Sequence, residues 1–220
     1  MALFRAKRSE MPADAVLLSE EDALKYQVNI MHKWKNKSET FCYRKGVLLL
    51  TTFGGLAGIY INNYYRNKFR LRRIGAATTY IPIVALPATL SFLFHAQFVL
   101  PDVTLQKSCA ICTELRASAF QAFSGSLLPT ILAPLSALSL AVQYNTYDVP
   151  YITKEPLKVL KIIQKLTRPA ANTLFGIFVG QALLASIVTF YESKDVFKVS
   201  EKLAKLEFEL EHGVHPPSVN

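Results

Sequence analysis

The sequence predicts an all-α membrane protein: four transmembrane helices with amphipathic helices flanking them. Three observations carry this. Hydrophobic residues make up 51% of the 220-residue chain and charged residues only 19%. The charges are unevenly placed, and they vanish from windows at 46–61, 74–100, 117–142 and 170–191. Those windows also lack the 3.6-residue or two-residue alternation that a half-buried helix or strand keeps in water. A helix needs roughly 20 apolar residues to cross the hydrocarbon of a bilayer. The first window is short, and Asn62 and Asn63 can extend it into the headgroups. The expected organisation is a polar N-terminal tail with an amphipathic helix (1–45), a four-helix membrane domain (46–191, spans at about 46–62, 74–100, 117–142 and 170–191), and a C-terminal amphipathic helix and tail (192–220).

In the tail, Ser19 precedes Glu20, Glu21 and Asp22, the spacing of a capping box with Asp in the usual place of Glu. Leu24, Val28, Met31 and Trp34 then recur at helical spacing. Trp34 and Lys35, then Tyr43, Arg44 and Lys45, are the aromatic and basic residues expected at a membrane surface. Arg5, Lys7 and Arg8 resemble a mitochondrial targeting sequence, but Glu10, Asp14 and the acidic triplet argue against a cleaved presequence. No secretory signal precedes the first apolar run.

The first span carries a GxxxG pair, Gly54 and Gly58, and the fourth repeats it with Gly176 and Gly180. Apolar side chains gain nothing by leaving a hydrocarbon solvent, so membrane helices associate where small residues let backbones approach. These four glycines are therefore helix-packing candidates. Spans two and three each hold a proline pair, Pro82/Pro87 and Pro129/Pro134. An internal proline removes a backbone donor and kinks its helix. The pairs read either as an internal repeat framing a cavity or as two kinked helices packed together. The second reading is favoured, because neither span contains the Asp, Glu, Lys or Arg that substrate and ion pathways use.

The net charge of +9 lies in separate juxtamembrane clusters, which points to anionic lipid rather than nucleic acid. One cluster, at residues 66–73, links the first two spans. Another follows the third span, where Thr153 can cap a helix and Pro156 suits its first turn. Lys158, Lys161, Lys165 and Arg168 fall on one side of that helix, and Val159, Ile162, Ile163 and Leu166 on the other. This is an interfacial helix with a basic face for anionic lipid. Beyond the fourth span, Val196, Val199, Leu203, Leu206 and Leu210 recur by three and four, ahead of Gly213 and the Pro216–Pro217 pair. With four spans, both tails and the Cys109 loop share a side. Lys and Arg are nearly balanced between the two sides, so the positive-inside rule does not orient the chain.

Cys109-Ala-Ile-Cys112 is the sole constellation with chemical potential. A disulfide or paired thiols bracing the loop is the favoured reading, ahead of inert cysteines. A zinc site would need Cys42, His32 or His95 as further ligands, and a redox site would need a stabilised thiolate. His95 reads as an interhelical hydrogen-bonding residue. No Ser-His-Asp set, glycine-rich phosphate loop or carboxylate pair occurs within the spans. The chain is therefore expected to be no enzyme, with no catalytic, cofactor-binding or metal-binding residues and no small-molecule substrate.

Taken in order, several short motifs resemble the transmembrane protein 126 family. They are Gly58-Ile-Tyr-Ile-Asn-Asn, Arg72-Arg73-Ile74, Pro82-Ile-Val-Ala-Leu-Pro87, Cys109-x-x-Cys112-Thr113 with Leu115-Arg116, Leu128-Pro129-x-x-Leu132-Ala133, and Ala141-Val-Gln-Tyr144. The likeness is good over residues 54–144 and one of layout elsewhere. The resemblance implies a multi-pass protein of the mitochondrial inner membrane that helps assemble membrane subunits of respiratory complex I. It implies complex I assembly intermediates and other assembly factors as partners, and cardiolipin as the anionic lipid. It would put the tails and the Cys109 loop in the reducing matrix, which favours paired thiols over a disulfide. The alternatives are a small transporter or channel built on the two proline-kinked helices, or a CxxC redox membrane protein.

Overall fold

A computed structural model describes residues 18–147 and 156–211, and every regular element among them is helical. Four of its helices are long and apolar enough to cross a membrane. The segment at residues 1–8, Thr153, Gly213 and the Pro216–Pro217 pair lie outside the described residues.

Helix α1 (Glu20–Lys33) opens as its capping residues dictate. The Ser19 hydroxyl accepts the Asp22 amide at 3.2 Å and donates to the Asp22 carboxylate at 2.6 Å. Three acids in the first turn and His32 and Lys33 in the last suit the helix dipole. Trp34 then donates its indole N–H to Glu39 at 3.0 Å. A 3₁₀ turn, Lys37–Thr40, leads into the first span, α2 (Phe41–Lys68).

The second span is α3 (Ala76–Phe94), a π-turn at His95–Val99 and α4 (Leu100–Leu105). The third repeats this plan with α5 (Ala110–Ala122), a π-turn at Phe123–Leu127 and α6 (Leu128–Gln143). In each, the π-turn closes on a Leu-Pro step. The Leu100 amide reaches the His95 carbonyl, and the Leu128 amide reaches that of Phe123. Proline cannot bond the carbonyl four residues back and its ring crowds it, so a widened turn just ahead accommodates Pro101 and Pro129 without ending the rod. Pro129 therefore lies just after a π-turn, within a helical rod that runs from Ala110 to Gln143. It lies in the first turn of α6, whereas Pro82, Pro87 and Pro134 are inside their helices.

After α7 (Pro156–Thr167) and a turn at Arg168–Ala170 comes α8 (Ala171–Glu211), 41 residues long. At 1.5 Å per residue it measures about 60 Å, twice the hydrocarbon thickness. The expected division at residue 192 between a fourth span and a separate C-terminal helix is therefore corrected. No glycine or proline occurs between 181 and 211, so nothing breaks the helix where the charges begin. Val196 and Val199 are buried and Leu203 half-buried, against Met31 and Ile30 of α1. Leu206 and Leu210 are exposed.

Two apolar clusters form the core. One, at the end where α2 turns into α3, joins Ile61, Tyr65, Phe69 and Leu71 to Ile83, Ala137, Val159 and Leu174. The other, at the end of the tails, joins Met31, Tyr43 and Leu50 to Val99, Ala117, Ala185 and Val199. The glycines of the first span set the α2–α3 distance. A Cβ on Gly58 would lie 2.6 Å from the Ile83 carbonyl oxygen, and one on Gly55 3.7 Å from Val84. Gly176 and Gly180 behave otherwise. No described residue lies within 4 Å of a Cβ at either, so their expected helix contact does not exist among the described residues. Their face of α8 points outward.

Candidate functional site

Between the two apolar clusters lies a polar layer to which all four spans contribute. Gln121 of α5 donates from Nε2 to the Leu50 carbonyl of α2 at 3.0 Å and to Oε1 of Gln181 in α8 at 2.6 Å. Its own Oε1 accepts the hydroxyl of Ser91 in α3. Gln181 in turn donates to the Phe53 carbonyl at 3.0 Å. Gln121 and Gln181 each lie about 15 Å along their helices, near the middle of the hydrocarbon. An unpaired amide there costs several kcal/mol, and these amides satisfy one another. Gly54 and Gly125 make room, since a Cβ at Gly125 would lie 2.9 Å from Oε1 of Gln181.

A second polar group lies nearer the tail end. Nε2 of His95, in the first π-turn, is 2.8 Å from Oε2 of Glu192, and both side chains are buried. The other carboxylate oxygen of Glu192 has no hydrogen-bond partner. Gly46 admits it, because a Cβ there would collide with the carboxylate and lie 2.7 Å from Val188. One helical turn on, Asp195 accepts the amides of Cys42 and Tyr43 at 3.0 and 3.2 Å. It thereby caps α2 from another helix, serving first-turn donors that have no partner within α2. The Tyr43 hydroxyl meets that of Thr104 at 2.8 Å.

At the opposite end the link between α2 and α3 is organised by Arg66, which is 2% exposed. Its two terminal nitrogens donate to the carbonyls of Arg72, Ile74 and Gly75 at 2.7, 2.8 and 3.2 Å and to the Thr79 hydroxyl at 2.8 Å. No carboxylate takes part. Four oxygen dipoles offset the cost of burying the cation. Gly75 sits at φ 55° with Leu140 against its α-carbon, where a side chain would be both strained and crowded. Helix α7 docks alongside. Tyr64 donates to the Leu166 carbonyl at 2.8 Å, and the Tyr65 hydroxyl meets that of Thr167 at 2.9 Å.

Lys158, Lys161 and Lys165 of α7 and Arg168 of the turn after it are exposed. The apolar side expected to lie in lipid beneath them is corrected. Val159, Ile163 and Leu166 pack onto the cluster around Tyr65 and Phe69, and the bare apolar residues beside the basic residues are Leu157 and Leu160. Among the described residues, every acidic side chain belongs to the tail end, and the end formed by Arg66 and α7 carries basic residues alone.

Cys109 and Cys112 are exposed free thiols at the start of α5. The Cys109 sulfur accepts the Cys112 amide at 3.4 Å and so caps the helix. Hydrogen bonding from the Cys112 side chain, and then from its backbone N–H, holds the Cys109 thiol below its usual pKa. The loop is braced by Asp102, which accepts from Ser108 at 2.7 Å and Arg116 at 2.5 Å, and by the ion pair of Lys107 with Glu20. Among the described residues no three His, Cys, Asp or Glu side chains converge on a metal position. Sequence reasoning found His95 but missed Gln121, Gln181, Glu192 and Arg66. For Gln121, Gln181 and Glu192 the signal was a polar residue within or just beyond a charge-free window; Arg66 had none, standing in a basic cluster.

These features define a four-span helical membrane protein whose spans are joined by a buried polar layer and whose two described ends differ in charge. Within that class, the chain belongs to the transmembrane protein 126 family, whose family profile matches residues 25–209. Transmembrane protein 126 of Drosophila melanogaster is 40% identical over 216 residues, covering 96% of each chain. No solved structure matches the chain.

Proposed function

We propose that the protein is a non-enzymatic assembly factor of the mitochondrial inner membrane, holding membrane subunits of respiratory complex I while they are joined to assembly intermediates and other assembly factors. The observation that carries this reading is a lipid-facing groove between α2 and α8. It encloses about 650 Å³ and is lined by Phe53, Leu56, Tyr60, Ile177, Gly180 and Leu184 among others. Gly180 lies in it, and Gly176 is uncovered one turn away. Within lipid, affinity between helices comes from close backbone approach, so spare glycines on an outer face suit a partner's transmembrane helix. A complex I subunit helix awaiting its neighbours is the proposed occupant. Holding over transport is supported by the midplane amides, which are bonded to one another and to backbone carbonyls, and by the lack of the charged side chains that substrate and ion pathways use from the spans' charge-free windows.

A photo-reactive residue at position 176 tests this in intact mitochondria. It is expected to cross-link newly made membrane subunits of complex I. Adducts with subunits of every respiratory complex alike, or with lipid only, would overturn the reading.

A further inference from the structure

We propose that the link at residues 69–75, with the neighbouring face of α7, is a binding site for the headgroup of an anionic phospholipid. The site does not depend on the assembly role. The link bounds a surface recess of about 540 Å³ lined by Asn67, Arg70 and Arg72. Arg70 and Arg72 hold φ at 56° and 45°, a left-handed conformation that costs a side-chain-bearing residue of order 1 kcal/mol. At Arg70 it is the left-handed cap that ends α2, with the Leu71 amide bonded to the Arg66 carbonyl at 3.0 Å and the Arg70 amide to that of Asn67 at 3.2 Å; beyond it, buried Arg66 draws the carbonyls of Arg72, Ile74 and Gly75 inward. The side chains of Arg70, Arg72 and Arg73 are left exposed.

Those three guanidinium groups make no hydrogen bond or ion pair with any described residue, and no described acid lies at this end to neutralise them. Guanidinium forks match phosphate oxygens in pairs. Helix α7 supplies the rest of a lipid site. Lys161, Lys165 and Arg168 lie outward, and Leu157 and Leu160, 73% and 61% exposed, offer a bare apolar strip for acyl chains. Phosphate-binding groups beside uncovered leucines, at the end of spanning helices, fit a lipid rather than a dissolved anion.

The test uses the full chain in detergent micelles, with binding read from the shift in melting temperature. Dioleoyl phosphatidylglycerol, dioleoyl phosphatidylcholine and inorganic phosphate are titrated separately. Phosphatidylglycerol is expected to stabilise saturably, and phosphatidylcholine and inorganic phosphate at the same concentration are not. The paired R70Q/R72Q variant should weaken the phosphatidylglycerol response about tenfold, given the contribution of each basic residue near an anionic headgroup and its partial screening by salt. If that variant does not fold, R70K/R72K replaces it, with a several-fold loss expected because an ammonium cannot fork. An undiminished response in the folded variant, or equal stabilisation by phosphatidylcholine, would overturn the site. Inorganic phosphate acting as well as the lipid would overturn the lipid as its ligand.

Discussion

Nε2 of His95 and Oε2 of Glu192 lie 2.8 Å apart, joining helices across 97 residues of sequence. Each residue lies about 30 Å along its helix from the basic end, so the pair is placed near the tail-side edge of the hydrocarbon. The π-turn at His95–Val99 and the glycine at position 46 both serve this contact, one carrying the imidazole and the other clearing space for the carboxylate.

Removing one partner should cost more than removing both. H95A leaves a buried carboxylate without its hydrogen bond and is expected to lower stability by about 2 kcal/mol. E192Q keeps a group that can bond the imidazole and should cost less than half as much. The double variant H95A/E192L, with no polar group left to satisfy, should recover part of the loss. The single variant E192L closes the cycle, and thermal unfolding of the five proteins in one detergent measures this. Strictly additive effects would mean that the two side chains act independently.

The two glycine pairs should separate stability from partner binding. G58A places a methyl group against the Ile83 carbonyl and must push α2 from α3, with an expected loss of 1–3 kcal/mol, about the cost of overpacking. At Gly176 and Gly180 a Cβ meets no described residue within 4 Å, so G176L and G180L, whose longer side chains reach into the open groove, should leave melting within about 0.5 kcal/mol, while weakening rescue of a deletion strain. Full rescue by stable G176L/G180L would remove the groove from the account.

Cys109 should react faster than Cys112 with a small water-soluble maleimide. Its thiol is held below the usual pKa by the Cys112 side chain and amide, so more thiolate is present at neutral pH. Its rate should level off at a lower pH than that of an ordinary exposed cysteine. Peptide mapping after brief labelling at a series of pH values gives both rates. Equal labelling at every pH would show that the sulfur's capping contact does not persist in solution.

Much of the fold was legible in the sequence because lipid forbids charge, and four uncharged windows could hardly mean anything else. The Ser19 cap and the docking of Val196 and Val199 followed from spacing alone. The end of the fourth span was not legible. A charge-free window stops at Tyr191, but a helix stops only where its backbone is broken, so Glu192 fell outside the expected span and its pairing with His95 went unseen. The glycine motifs show the same limit. Gly54–Gly58 and Gly176–Gly180 are identical patterns, and only the packed chain distinguishes a face already covered from one left open. The proline pairs were visible too, but a π-turn has no signature of its own, so the role of Pro129 depended on the turn before it. Arg66 was one basic residue among several until its carbonyl partners were in place.

The central claim is that the protein holds membrane subunits for complex I. Complexome profiling of mitochondria lacking it, by native gel and mass spectrometry, tests this most directly. The account predicts loss of mature complex I with build-up of partial assemblies containing its membrane subunits, and near-normal levels of the other respiratory complexes. Normal complex I, or an equal loss of all the complexes, would contradict it.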